Sequence, residues 1–417
     1  MKVEFKKLEV DVLIPATYNP RKDLKPGDKE YEKIKNSINE FGYVEPIIVN
    51  KDMTIIGGHQ RLKVLKHLGY TEVDCVVVEV DKTKEKALNV ALNKVTGSWN
   101  EALLAELIKD LQEVDFDVAL TGFEPPEIDE LFSKLNEGEV QEDNFDVEDA
   151  LTENPITKQG DVWLLGRHRL ICGDSTEASV YELLMDGQKA NLIVTDPPYG
   201  VAYEGKAGNI KNDALADAEF EEFLLKAFKN MEANLSDDGS IYVFHADTKG
   251  HIFRKAFLDA GFYLSGVCQW VKQSLVLGRS PYQWKHEPVL YEWKKSGKHR
   301  WYVGRKETTV WNFDRPTKSE LHPTTKPIAL VAYPIQNSSM SNCIVLDPFG
   351  GSGSTLIACE QTGRICHTIE LDEKYADVIV KRFKDQAGSD GEVYLLRDGQ
   401  KLTYEEAVKA HDQATGA

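Results

Sequence analysis

The 417-residue chain carries 50 Lys+Arg against 68 Asp+Glu, and this formal net charge of −18 argues against a protein that coats nucleic acid with its whole surface. Six cysteines lie scattered without paired short spacings, so neither a zinc ribbon nor a disulfide framework is expected, and no metal site. No apolar run approaches the roughly 20 residues that span a bilayer, and MKVEFKKLEV lacks the apolar core of a signal peptide, so the expectation is a soluble cytoplasmic protein with no membrane partner.

The length predicts two or three domains. From Val10 a strand-like run leads into the turn-rich YNPRKDLKPGD, a helix around Tyr31 to Phe41 stopped by Gly42, and then PIIV, a KD turn and TIIGG. The segment His59 to His67 has helical spacing and a stop at Gly69, after which VDCVVVEV reads as a buried strand. Gly57 and Gly58 stand directly before that helix. They leave backbone N–H groups where an anion can approach, and Arg61 on the first turn adds a charged fork, the elements of a phosphate or nucleotide site. A Gly-Gly bend with a solvated arginine accounts for the same residues equally well.

Over roughly Lys7 to Val80 the chain resembles the ParB N-terminal-like family, shared with sulfiredoxin, through Asn19-Pro20-Arg21, SINEFGYVEP (Ser37 to Pro46) and Ile56-Gly57-Gly58-His59-Gln60-Arg61. The resemblance implies a loop that holds nucleotide phosphates. Two departures qualify it. Gly-His-Gln-Arg stands where ParB proteins usually carry Gly-Glu-Arg-Arg, and His59 stands where sulfiredoxins carry their reactive cysteine, which excludes thiol rescue chemistry. Residues 1–82 are therefore read as a ParB-like α+β domain and 83–135 as a helical connector without assignable chemistry. Residues 136–158 are read as a linker, because Asn136 to Pro155 holds eight acids and no bases.

From Asp161, candidate strands RLIC, NLIV, SIYVF, CIVL and ICHTI alternate with amphipathic segments, which predicts an α/β fold. Its core is a doubly wound, mostly parallel sheet spanning 159–390, followed by a tail over 391–417. Ligands in such sheets bind beyond the carboxyl ends of the strands. Four acids stand at four such ends: Asp174, Asp196, Asp347 and Glu370. The loop Phe349 to Gly353 leads into a helix and offers N–H groups to an anionic end, and Glu370 on the next strand is placed for two ribose hydroxyls. Together they indicate an adenosine-containing cofactor. In VTDPPYG, two prolines end the strand and leave carbonyls free. Asp196 beside a proline carbonyl offers two acceptors to one NH2 group, and Tyr199 offers a face for the ring that bears it.

At these residues Asp161 to Phe383 resembles the S-adenosylmethionine-dependent DNA amino-methyltransferases whose motifs run in the permuted order called the beta class. The resemblance implies a Rossmann-like methyltransferase fold and places the extruded base at Asp196, Pro197, Pro198 and Tyr199. The methionine end of the cofactor falls to the loop with Asp347, Phe349, Gly351 and Gly353 and to Thr355 on the following helix. It assigns Glu370 to the cofactor ribose, Asp174 to its adenine amine, and Lys326 in HPTTKP to the cofactor pocket. Asp at the head of the motif implies adenine N6 as acceptor, methylated by direct in-line transfer after base flipping. Residues 270–326 carry 12 Lys+Arg, 5 Asp+Glu and five of the seven tryptophans, and are read as a target-recognition insertion contacting DNA through Lys294, Lys295, Lys298, Arg300, Arg305 and Lys306. Three of the four tryptophans Trp284, Trp293, Trp301 and Trp311 are expected in core packing. The expected partners are DNA, a nucleotide at the N-terminal domain and a second copy of the chain. Cytosine N4 or a protein amide as acceptor, or a ParB-like DNA-binding protein with an inactive methylase half, remain as alternatives.

Overall fold

The computed structural model describes residues 3–94, 99–114, 116, 118–124, 127–128, 131–132, 140–143, 145–201, 204–205, 208–209, 213–277, 281–314, 325–388 and 392–415. The chain divides into two compact units, Met1–Leu135 and Asn136–Ala417.

The first unit is α+β. Strands β1 (Val3–Glu9), β2 (Ile47–Asn50), β3 (Ile55–Gly57) and β4 (Glu72–Val78) form one sheet in the order β1-β4-β2-β3. In β4, Val73, Cys75 and Val77 are buried while Glu72 and Asp74 face solvent, so this strand covers only one face of a core that α1 (Lys29–Phe41) and α2 (His59–His67) complete. Helices α3 (Lys82–Asn93) and α4 (Glu101–Glu113) build a separate apolar cluster around Val90, Leu104, Ile108 and Leu111.

The second unit is α/β. Its strands are β5 (Val162–Leu165), β6 (His168–Cys172), β7 (Ala190–Thr195), the short β8 (Glu204–Gly205) and β9 (Gly208–Asn209), β10 (Leu235–Phe244), β11 (Phe262–Val276), β12 (Trp284–Lys294), β13 (Val310–Asn312), β14 (Ile344–Asp347), β15 (Ile365–Glu370), β16 (Val393–Arg397) and β17 (Gln400–Thr403). Eleven form one mixed sheet, β13-β11-β12-β10-β7-β14-β15-β6-β5-β16-β17. Within it β10, β7, β14, β15 and β6 run parallel, and their carboxyl ends share one rim. These strands are apolar along nearly their whole length because helices cover both faces. The helices are α5 (Val147–Ala150), α6 (Ala178–Met185), α7 (Asp217–Asn234), α8 (Gly250–Asp259), α9 (Ile328–Ser338), α10 (Ser354–Gln361), α11 (Glu373–Ala387) and α12 (Tyr404–Thr415).

Two expectations are corrected here. Residues 270–276 and 284–294, read as part of an insertion, are the end of β11 and all of β12, antiparallel strands that extend the sheet beyond β10, with Trp270, Val289 and Leu290 in the core. The period of two was hidden because the hairpin mixes charged residues with aromatic ones. Residues 140–158 are not a solvated linker. Asp143 pairs with the buried Arg382 at 2.6 Å, and Glu142 accepts the first two N–H groups of α9, Ile328 and Ala329, at 3.0 Å each. Val147 and Ala150 pack on Val378, and Asp377 accepts the Ile156 and Thr157 N–H groups. Glu142 and Asp146 are engaged with helix starts and Asp143 with an arginine, which composition alone does not reveal.

Candidate active site

Strand β7 ends at Thr195, whose hydroxyl donates to Asp347 Oδ1 at 2.8 Å and so ties the end of β7 to that of β14. The chain then turns through Asp196-Pro197-Pro198-Tyr199. Asp213, not singled out from sequence, fixes that turn by accepting the Tyr199 and Gly200 N–H groups at 2.8 Å each. Gly200 (φ +69°) lies so close to the Phe220 ring that a Cβ would meet it at 2.9 Å. Held in this way, the Tyr199 hydroxyl donates to Asp196 Oδ1 at 2.7 Å and approaches Glu287 Oε2 at 3.1 Å.

Lys326 completes the cluster. Its Nζ donates to Asp196 Oδ2 at 2.6 Å and to the Tyr199 oxygen at 3.1 Å, and lies 3.4 Å from Glu287. The rings of Tyr199 and Phe244 sit 5.3 Å from it and Trp270 6.0 Å. The ammonium of Lys272 pairs with Glu287 from the other side. Two carboxylates and two ammoniums are thus gathered in a largely dry place. Burial raises the Asp196 pKa, opposed by Lys326 and reinforced by Glu287. Burial lowers that of Lys326, but Asp196 and Glu287 more than offset it, so the lysine stays charged with a pKa above its ordinary value. Sequence placed Lys326 in the cofactor pocket. Its carbonyl does accept from Ser354 Oγ at the glycine loop, but its ammonium belongs to Asp196 and Tyr199.

The glycine loop stands across from this cluster. Gly350 passes so near Thr368 that a Cβ would lie 2.5 Å from its Oγ1, and Gly353 (φ +88°) caps α10. Glu370 accepts the Gly351 N–H at 2.7 Å and the Asp372 N–H at 2.8 Å. A carboxylate has about four acceptor positions, so two remain for hydroxyl donors. Burial lifts the Glu370 carboxyl to about 7 and the Asp347 carboxyl to about 7. Asp174 accepts the N–H and hydroxyl of Thr176 at 2.8 Å each. Arg382, also missed from sequence, props the loop from behind, donating to the Ser352 carbonyl at 2.9 Å.

One cavity of about 620 Å³ brings Asp174, Asp196, Tyr199, Asp347, Gly351 and Glu370 together. Pro197, Pro198, Lys326, Phe349 and Thr355 line it too; Gly353 does not. The volume and the acceptors left on Glu370 fit a nucleoside-sized cofactor beside a second planar ligand.

The basic residues expected to meet DNA lie elsewhere. Lys294 pairs with Phe262 at the far end of β12, roughly 20 Å along the strand from Pro288, which neighbours the rim. Its side chain is buried against Asp237 and Glu232. Arg300 is bound to Asp238 at 2.5 Å, while Lys295, Lys298, Arg305 and Lys306 are exposed. Of the four tryptophans, Trp311 is buried, Trp293 half-buried, and Trp284 and Trp301 exposed, so the expected core packing holds for one. His322 to Thr324 of HPTTKP lie outside the described residues.

In the first unit, Gly58 (φ +92°) caps α2. Arg61 presents no free fork: it donates to the Glu45 carbonyl at 2.9 Å and pairs with the Glu45 carboxylate. His59 Nε2 accepts the Ala16 N–H at 3.3 Å, and burial lowers its pKa to about 4, so it is a neutral hydrogen-bonding group. Among the described residues no helix is long and apolar enough to cross a membrane, and no cluster suits a metal ion.

Comparison with known proteins places these features in families. Residues 190–381 match the DNA methylase family, residues 2–94 the ParB N-terminal domain, and residues 102–159 the ParB-methyltransferase HTH domain. The last match covers helices to which the sequence reading gave no chemistry. The chain is similar to the type II methyltransferase M.HpaI of Haemophilus parainfluenzae, 25% identical over 240 residues that cover 52% of this chain and 74% of the relative. It is also similar to M.HinfI of Haemophilus influenzae, 27% identical over 50% of this chain and 67% of the relative. Among solved structures, the M1.HpyAVI-SAM complex is 26% identical with a TM-score of 0.41, over 51% of this chain and 98% of that one. The chain joins a ParB-type N-terminal domain to a DNA methyltransferase domain of the N6/N4 type.

Proposed function

We propose that the chain transfers a methyl group from S-adenosylmethionine to the exocyclic N6 amine of adenine in DNA. The observation that carries this reading is the single cavity shared by the Asp196–Tyr199 holder and the Gly351–Glu370 loop. Bound there, S-adenosylmethionine supplies a methyl group on a positively charged sulfur. Everything else falls to the chain. Glu370 accepts the ribose hydroxyls, Asp174 accepts the cofactor's adenine amine, and the methionine end lies toward the glycine loop and the start of α10 at Ser354 and Thr355, which line the same cavity.

Asp196 and the Pro197 carbonyl accept the two hydrogens of the target amine. Acceptors on both hydrogens weaken delocalisation of the lone pair into the ring and leave it available to attack. Tyr199 stacks on the ring, and the Asp213 bonds hold that pincer in register. The head residue Asp196 supports adenine over cytosine by resemblance. A base inside a duplex is out of reach of such a cavity, so the target is flipped out.

The tip of the β11–β12 hairpin supports a DNA-facing role. Leu277 and Tyr282 are 86% and 90% exposed, and Trp284 borders the cavity. Beyond Lys272, which pairs with Glu287, residues 273–286 contain two Lys+Arg and no acid, in a chain of net charge −18. Mass spectrometry of nucleosides from DNA treated with the protein and labelled cofactor tests the reading. Labelled N6-methyladenine is expected; labelled N4-methylcytosine would keep the enzyme and change the base.

A further inference from the structure

An adenine or cytosine presents an amidine edge, in which an NH2 donor stands beside a ring-nitrogen acceptor. Guanine and thymine present the reverse order, a carbonyl acceptor beside a ring N–H. The site holds a matching pair: the Asp196 carboxylate accepts, and the Lys326 ammonium, 2.6 Å away, donates. We propose that Lys326 is a specificity-determining residue that donates to the ring nitrogen next to the amine held by Asp196, so that the two side chains together read an amidine edge and reject a carbonyl edge. This rests on the function proposed above and adds to it the residue that selects the base class.

Three observations support the assignment. Lys326 Nζ is fixed by faces of Tyr199, Phe244 and Trp270, so the donor has one position rather than a swinging range. Tyr199, which stacks on the base in the proposed function, is also in hydrogen-bond contact with Lys326, so donor and stacking ring are set relative to each other. Finally, the contact to Glu287 is the longest of the three polar contacts at 3.4 Å, and Lys272 already neutralises Glu287. The N–H aimed at Glu287 is therefore the one a ring nitrogen takes over at least cost. A carbonyl edge turned the same way would bring its oxygen against the Asp196 carboxylate and leave the ammonium facing an N–H, two uncompensated contacts in a buried site.

The test uses the full chain and duplexes carrying its methylation site with the target as adenine, 1-deazaadenine or 7-deazaadenine. The first analogue keeps the amine and loses N1, the ring acceptor beside it; the second keeps N1 and loses N7, the acceptor on the amine's other side, and so separates the two edges. If cytosine proves to be the target, 3-deazacytosine replaces the first analogue. The wild type is expected to lose roughly 10- to 100-fold in kcat/KM on 1-deazaadenine and to change little on 7-deazaadenine, as for a lost hydrogen bond to a charged donor. Lys326→Met is expected to lose a similar factor on adenine and then to treat adenine and 1-deazaadenine alike within about twofold, whereas Lys326→Arg keeps the preference. If wild type and Lys326→Met show the same preference, or the wild type shows none, the assignment is overturned. The wild-type arm decides even if the methionine variant does not fold. A wild type that methylates no duplex at all would instead sink the function on which the assignment rests.

Discussion

Asp196 carries the heaviest demand at the scale of single residues. It receives the Tyr199 hydroxyl on one oxygen and Lys326 on the other. Asp196→Ala removes a preorganised acceptor and leaves Lys326 without its nearest partner, so kcat should fall by about 3 kcal/mol or more, a hundredfold or greater. Cofactor affinity should stay within a few-fold; single-turnover kinetics and calorimetry separate the two, and an unchanged kcat would remove Asp196 from the reaction. Glu370 gives a second test. Its carboxyl is raised to about 7, and only the ionised form offers both oxygens to ribose hydroxyls, so affinity for S-adenosylmethionine should strengthen as pH rises through about 7 and level off above. The sign for folding is opposite: a raised carboxyl contributes stability to the unliganded fold at low pH that is lost as pH climbs from the ordinary carboxyl range to about 7. Because Asp347 titrates in the same window, the test compares Glu370→Gln with the wild type: calorimetric titrations should lose most of the pH dependence in the variant, and an unchanged profile would remove Glu370 from cofactor binding.

Among elements, the parallel strands were legible because burial on both faces writes unbroken apolar runs, and acids at their ends stand out against them. Asp196 and Glu370 therefore emerged from spacing alone. Glu287 and Lys272 did not, because they lie inside strands whose neighbours across the hairpin determine their direction, and cross-strand register is a tertiary fact. Asp213 and Arg382 were hidden for a related reason: each acts on backbone far away in sequence, through the Tyr199 turn and through Ser352. The acidic segment that ends in Pro155 looked solvated by composition, yet Asp143 holds Arg382 and Glu142 caps α9. Breaking the Asp143–Arg382 pair by Arg382→Ala should cost about 3–5 kcal/mol of stability and loosen the glycine loop. A lower melting temperature together with weaker cofactor binding is the expected outcome; normal binding in the folded variant would mean that Arg382 only fastens the acidic segment.

For the whole molecule, a net charge of −18 and a DNA substrate are reconciled if contact with DNA is confined to a small surface. Of the basic residues singled out from composition, Lys294 and Arg300 are paired with acids, while Lys295, Lys298, Arg305 and Lys306 are exposed. The acid-free hairpin tip beside the cavity is the better placed candidate. Replacing Leu277 and Tyr282 together by serine should lower kcat/KM on duplex DNA roughly tenfold, in the range of lost base–aromatic contact, and leave cofactor affinity unchanged. Equal activity of this variant would move the DNA face elsewhere. In the ParB-type unit Arg61 is held by Glu45, so a phosphate at the glycine turn would compete with that pair.

The most direct test of the central claim is mass spectrometry of nucleosides released from DNA after incubation with the full chain and methyl-labelled S-adenosylmethionine, run beside Asp196→Ala. The account predicts labelled N6-methyladenine from the wild type and at least a hundredfold less from the variant. No labelled base in DNA from the wild type, or equal labelling by both proteins, would contradict it.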